Sequence, residues 1–154
     1  MHKGLDPLTT AGSLKAGGRF NPPNEFGALY TSLDPKTAAQ EVARGLRARG
    51  IDPERFPEGA WWVYELEVKL TSVLDFTDLD VLQKSGISPN SLTGSDVNAT
   101  RQIAGEARER GYQGLLVRSA VAPDSKNLVI FLDRAPARPI VLGSKPIAFG
   151  ERTP

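Results

Sequence analysis

Cysteine is absent from the 154-residue chain, which excludes disulfides, thiolate metal sites and cysteine nucleophiles. Histidine is nearly absent. His2 stands beside the initiator, in a terminal segment expected to be loosely held and without a function. Neither sign of charge dominates, since 19 basic residues face 18 acidic ones and leave a formal net charge of +1. Phosphate-driven nucleic-acid binding normally shows as a strong basic excess, so no nucleic-acid partner is expected. No run of about 18 apolar residues occurs and the opening lacks the apolar core of a signal peptide, so no membrane association is expected. Carboxylates and histidine show no metal-ligand spacing, and both the P-loop and the dinucleotide fingerprint are missing, so no metal and no prosthetic group is expected.

What is present reads as one ordinary globular domain. Hydrophobic residues make up 40% of the chain and charged residues 24%, enough to bury a core without staples. Residues 1–16 are polar and read as loop. A short strand is expected over 28–32. Asp34-Pro35 then supplies an N-cap and a proline at the first helical position, predicting a helix over 36–49 with Ala39, Val42, Ala43 and Leu46 on its buried face. Residues 61–70 alternate, with Trp62, Tyr64, Leu66, Val68 and Leu70 on one face and Glu65, Glu67 and Lys69 on the solvent face. Further strands are expected over 72–76, 114–117 and 128–132, with an edge strand over 139–142. Helices are expected over 78–84 and 97–110, the second capped by Ser95 or Asp96. Together these predict an α+β fold, a mixed, mainly antiparallel sheet with few flanking helices.

The chemistry concentrates early. Gly17-Gly18-Arg19-Phe20-Asn21-Pro22-Pro23 joins a glycine pair, which permits close backbone approach, to a guanidinium fork suited to phosphate or carboxylate. Asn21 fits either a turn or a ligand donor. Tyr30 follows eleven residues after Arg19 and Glu41 eleven after Tyr30. Tyr30 reads as a core aromatic or, beside the polar Thr31 and Ser32, as the wall of a cleft. Glu41 stands three residues before Arg44, the spacing of a solvated ion pair, yet Ala38, Ala39, Val42 and Ala43 surround it with small or apolar groups. Ser119 and Asn127 end and open neighbouring strands, where they either cap a hairpin or donate to a ligand. Arg44, Arg47 and Arg49 read as a solvated helix face. An anion clamp, a stacking surface and a carboxylate in this order suit a dinucleotide with a cleavable glycosidic bond.

Taken together, the blocks at 17–23, 29–38 and Glu41 resemble the opening of the RES domain family, named for an arginine, a glutamate and a serine. The stretches Tyr64–Val68, Val73–Asp78, Ala107–Ala120 and Asn127–Phe131 follow in the family's order, from about residue 15 to about residue 135. The resemblance implies a catalytic domain over 17–142, between a loop segment at 1–16 and a tail at 143–154, with a fold like that of ADP-ribosyltransferase toxins. It implies a toxin that consumes NAD as substrate, by hydrolysis or phosphorolysis, or transfers ADP-ribose to a protein. It also implies a helix-turn-helix, Xre-type antitoxin as partner, with an immunity protein as the alternative, and a cytoplasmic site of action reached directly or as part of a larger secreted effector. By position the family's arginine is Arg19, its tyrosine Tyr30, its glutamate Glu41 and its serine Ser119, with Asn21 and Asn127 as further NAD contacts. A non-catalytic nucleotide-binding module would need Arg19 and Tyr30 and could dispense with Glu41. Two features depart from the family. Residues 1–16 show no opening strand with a Tyr-Arg pair, which suggests a trimmed chain or the tip of a larger protein, and no histidine follows Glu41.

Overall fold

Residues 1–16, expected to be loop, hold a six-residue helix, α1 (Ala11–Ala16), in a computed structural model that describes residues 1–2 and 4–149. No side chain caps α1, and its place is set from a distance. The Ser13 hydroxyl donates to the Ala28 carbonyl at 2.7 Å and accepts from the Ala28 N–H at 2.9 Å. The first residues are tied down as well. Met1 exchanges backbone hydrogen bonds with Trp62, and His2 bridges Trp61 and stands edge-on to its ring. The loose terminus expected around His2 is therefore corrected: a strand edge at Trp61–Trp62 offers it partners. Burial lowers the pKa of the Met1 amine.

Strand β1 (Leu29–Ser32) leads through Asp34 into helix α2 (Pro35–Ala48). Extended at φ −141°, Asp34 accepts from the Thr37 N–H at 2.8 Å and Pro35 takes the first helical position, as their residue types dictate. Ala43 and Leu46 are buried on the inner face, with Ala39 and Val42 half-buried. Strand β2 (Trp62–Glu67) keeps the alternation read from the sequence: Glu65 and Glu67 are exposed and Leu66 is half-buried. After β3 (Val73–Asp75) come α3 (Leu79–Ser85) and α4 (Asn98–Glu109). The N-cap of α4 is Val97, without a side-chain bond, and Asp96 instead accepts from the Asn98 N–H. Then follow β4 (Gly114–Arg118), β5 (Lys126–Ile130) and β6 (Ile140–Pro146).

The strands divide into two sheets where one was expected. The first runs β1-β5-β4-β3, antiparallel except for β3 beside β4, and the second is the antiparallel pair β2-β6. The predicted edge strand at 139–142 extends to Pro146, into the expected tail, because β2 offers partners along that whole length. Of that tail, residues 150–154 lie outside the described residues. The four-stranded sheet is buried on both faces. Val129 and Phe131 join Phe20, Phe26, Phe76, Leu115, Ala104 and Ala107 in one cluster, while Ile130 joins Leu8 and Leu29 against Leu66, Val68 and Leu70. Each fully buried large apolar side chain contributes about 1.5–3 kcal/mol. Helix α2 packs against β1 and β2, and its Glu41 reaches Asn127 near the start of β5.

Candidate active site

The loop at 17–23 explains its glycines. Gly17 adopts φ +72°, and a Cβ on Gly18 would come within 2.3 Å of the Tyr30 hydroxyl oxygen. What Gly18 admits is therefore Tyr30, while Gly17 makes room for Arg101 and Pro23. Its hydroxyl accepts from the Phe20 N–H at 3.0 Å and donates to Asn21 Oδ1 at 2.7 Å. Asn21 is fully buried, and its amide nitrogen donates to the Ser13 and Phe26 carbonyls at 2.8 and 2.9 Å. Burial pushes the Tyr30 phenol up to about 12, against the opposing pull of the Phe20 N–H, Arg101 and Arg19. Tyr30 as a whole stays 42% exposed, a wall whose polar tip is locked into the loop.

Glu41 stands midway along α2 and faces the ends of β4 and β5. Its Oε1 accepts from Ser119 Oγ and from Asn127 Nδ2, both at 2.7 Å. Ser119 Oγ also accepts from the Val121 and Ala122 N–H groups at 3.2 and 3.3 Å, which leaves its hydrogen for the carboxylate. Asn127 Oδ1 accepts from Ser32 Oγ at 2.8 Å, which turns the amide nitrogen toward Glu41. Ser32 and Asn127 are direct partners in the β1–β5 register. Glu41 Oε2 faces Arg44 Nη1 at a loose 3.9 Å. Both sequence readings of Glu41 are thus present in one residue, an ion pair along the helix and a partly desolvated carboxylate held by neutral donors.

Arg19, Tyr30, Glu41 and Asn127 line one cavity of about 410 Å³. Asn21 and Ser119 do not line it and reach it through Tyr30 and Glu41. Three further arginines border it, Arg44, Arg49 and Arg118, so four arginines and a single carboxylate line it. Arg44, Arg47 and Arg49 are all exposed, the solvated face expected of them, and Arg44 and Arg49 in addition border the cavity. No local pattern distinguishes these two from Arg47, because the cavity forms only where α2 meets the loop at 17–23. Burial first, then Arg44, lowers the pKa of Arg19, while Tyr30 and Glu41 raise it. Arg19 Nη1 is buried without a hydrogen-bond partner among the described residues. A buried donor left without a partner is costly.

A wider hollow of about 680 Å³ lies against Leu14, Phe26, Arg108 and Arg138. Its cations are already paired, Arg108 with Asp133 and Arg138 with Asp6, so it offers no comparable open donor. Residues that sequence reasoning passed over are Ser32, which orients Asn127, and Thr100 and Arg101 of α4. The last two donate to the Arg19 and Gly18 carbonyls at 2.7 and 2.8 Å. Among the described residues no cluster of three or more His, Asp or Glu side chains could hold a metal ion.

A family model described as the RES domain matches residues 2–148. Two curated proteins named NAD(+) phosphorylase MbcT, from Mycobacterium bovis and Mycobacterium tuberculosis, are 29% identical over 115 residues, or 75% of this chain. The chain spans 62% of the length of those relatives. Among solved structures, the MbcT-MbcA toxin-antitoxin complex of M. tuberculosis superposes with a TM-score of 0.83, over 96% of this chain and 81% of that one, at 24% identity. That likeness establishes the shared fold.

Proposed function

The chain belongs to the RES domain family, and from that premise we propose that it cleaves the nicotinamide–ribose bond of NAD, with Arg19, Tyr30 and Glu41 carrying the chemistry. The observation that carries the proposal is Glu41, its Oε1 gripped by Ser119 and Asn127, lining a cavity bordered by arginines. Nicotinamide in NAD is already a cation, so its departure needs no acid. The C–N bond pair leaves with the ring, which becomes neutral, and positive charge develops on the ribose. A carboxylate held in place by neutral donors and aimed at that sugar stabilises the charge without reorganising. Arg19, which lines the cavity, is the clamp for the dinucleotide phosphates. Tyr30 forms the wall against which the nicotinamide packs. Asn127 lines the cavity and binds the substrate ribose, while Asn21 and Ser119 act as positioning residues for Tyr30 and Glu41.

Inorganic phosphate is the acceptor this site favours. Its oxygen forms the new bond to the ribose carbon as nicotinamide leaves, giving phosphorylated ADP-ribose. Four arginines around one carboxylate suit a reaction in which the substrate and the nucleophile are both phosphates, and the name of the curated relatives points the same way. Depletion of NAD in the cytoplasm would make the chain a toxin. Its partner would be an antitoxin, of the Xre helix-turn-helix type, whose contact closes the cavity mouth. The structural neighbour, a toxin-antitoxin complex, supports a partner of that kind.

The test is a time course of purified protein with NAD, with and without phosphate, following nicotinamide and the adenine-containing product. Phosphate-dependent release, lost in Glu41→Gln, is the expected result. Release that ignores phosphate would mean hydrolysis, and ADP-ribose recovered on added protein would mean transfer. No release from NAD under any of these conditions would refute the proposal.

A further inference from the structure

We infer that Thr100 and Arg101, in the first turn of α4, are positioning residues that set the anion-binding geometry of Arg19 and the place of the Tyr30 hydroxyl. The inference rests on the assignment of the cavity as an NAD site. Two consecutive carbonyls of the glycine loop are held by two consecutive residues of the helix: Arg101 Nε donates to Gly18 at 2.8 Å and Thr100 Oγ1 to Arg19 at 2.7 Å. A Gly-Gly segment loses more conformational freedom on ordering than any other pair, so it does not hold a single shape by itself. The constraint has to come from packing partners, and these two side chains supply it. Thr100 is fully buried, and its one hydroxyl hydrogen is shared between Arg19 and the Val97 carbonyl of its own helix turn at 3.0 Å. At that depth the bond, once lost, leaves a buried carbonyl without a partner.

Arg101 runs under the loop, its Nη2 only 2.9 Å from where a Cβ on Gly17 would stand. It does not line the cavity, and its charge is nonetheless felt at the Tyr30 phenol. The consequence falls on Arg19. It lines the cavity, and the value of its fork depends on pointing where the phosphate oxygen arrives. A misplacement of about 1 Å is enough to cost such a group much of its effect. Helix α4 therefore acts as the brace that aims the clamp, and the Gly18 and Arg19 carbonyls are its handles.

The experiment measures calorimetric binding of ADP-ribose to the full chain, beside KM and kcat for NAD, in wild type, Thr100→Val, Thr100→Ser, Arg101→Gln and Arg101→Lys. Loss of one such bond weakens ADP-ribose binding about three- to tenfold in Thr100→Val and Arg101→Gln. KM for NAD rises in step, kcat changes less, and Thr100→Ser restores the wild-type values. Should Thr100→Val fail to fold, the half-exposed Arg101 carries the test through its two variants. Unchanged binding and KM in folded Arg101→Gln, or a KM that follows only melting temperature across the series, overturns the inference. Absence of ADP-ribose binding in wild type would overturn the NAD-site assignment and this inference with it, whereas wild-type binding with unaltered variants overturns this inference alone.

Discussion

Glu41 receives two neutral hydrogen bonds on one oxygen and a loose cation on the other, and this asymmetry defines its expected behaviour. Glu41→Gln keeps the shape and removes the charge, so kcat for NAD should fall about 100- to 1000-fold with ADP-ribose binding little changed. Arg19→Ala should raise KM as well if, as proposed, its fork holds phosphates present before and during reaction. Tyr30 offers a test by pH. The folded protein holds its phenol near 12, above the ordinary 10.0, so the folded state binds that proton more tightly than the unfolded chain. Its contribution to stability is complete below pH 10 and is lost as pH rises toward 12. A phenolate absorbance titration should show a late-ionising step, and Tyr30→Phe should remove it. Its appearance unchanged in Tyr30→Phe would assign the late phenol elsewhere.

Among the elements, α2 matters most because it carries Glu41 to the sheet. Asp34 caps it through the Thr37 N–H and hydroxyl at 2.8 and 2.7 Å, and these bonds lower the Asp34 pKa. The folded state thus favours the ionised carboxylate, so the cap's contribution is present above the ordinary value of 3.8 and disappears as pH falls below it. Asp34→Ala should cost about 1 kcal/mol in denaturant unfolding at neutral pH, with the difference from wild type shrinking in acid. The strand register is equally exacting. Ser32 meets Asn127 across β1 and β5, and a one-residue slip would turn the Asn127 amide to the far face of the sheet, away from Glu41.

At the scale of the molecule, both faces of the four-stranded sheet are covered, and the site stands on its end. Phe131, fully buried beside Phe26, should cost about 3–5 kcal/mol on truncation to alanine, read as a large drop in the unfolding midpoint. Charge is balanced over the chain and unbalanced in the cavity, where Arg19, Arg44, Arg49 and Arg118 meet Glu41 alone. The KM for NAD should therefore climb with added sodium chloride, since screening weakens attraction between exposed arginines and phosphates. A KM indifferent to salt would remove the arginines from substrate capture.

Features set by neighbouring residues are legible in the sequence. Asp34-Pro35 starts a helix wherever it stands before a helical pattern, and the alternation from Trp62 to Leu70 marks a half-buried strand in any context. The ordered blocks around Arg19, Tyr30 and Glu41 point to the RES family for the same reason, being read along the chain. What depends on distant partners is not legible there. Helix α1 has six residues, no cap and no apolar period, and it exists because Ser13 meets Ala28. The second sheet exists because β6 finds β2 more than seventy positions back in the sequence. The arginines at 44 and 49 face a cavity that forms only once α2 meets the glycine loop. Nor does any spacing join Thr100 and Arg101 to carbonyls 81 and 83 residues away. Residue type and local period determined α2, α4 and the half-buried strands and pointed to the chemistry. Long-range packing alone decided which side chains share the site and which hold the others in place.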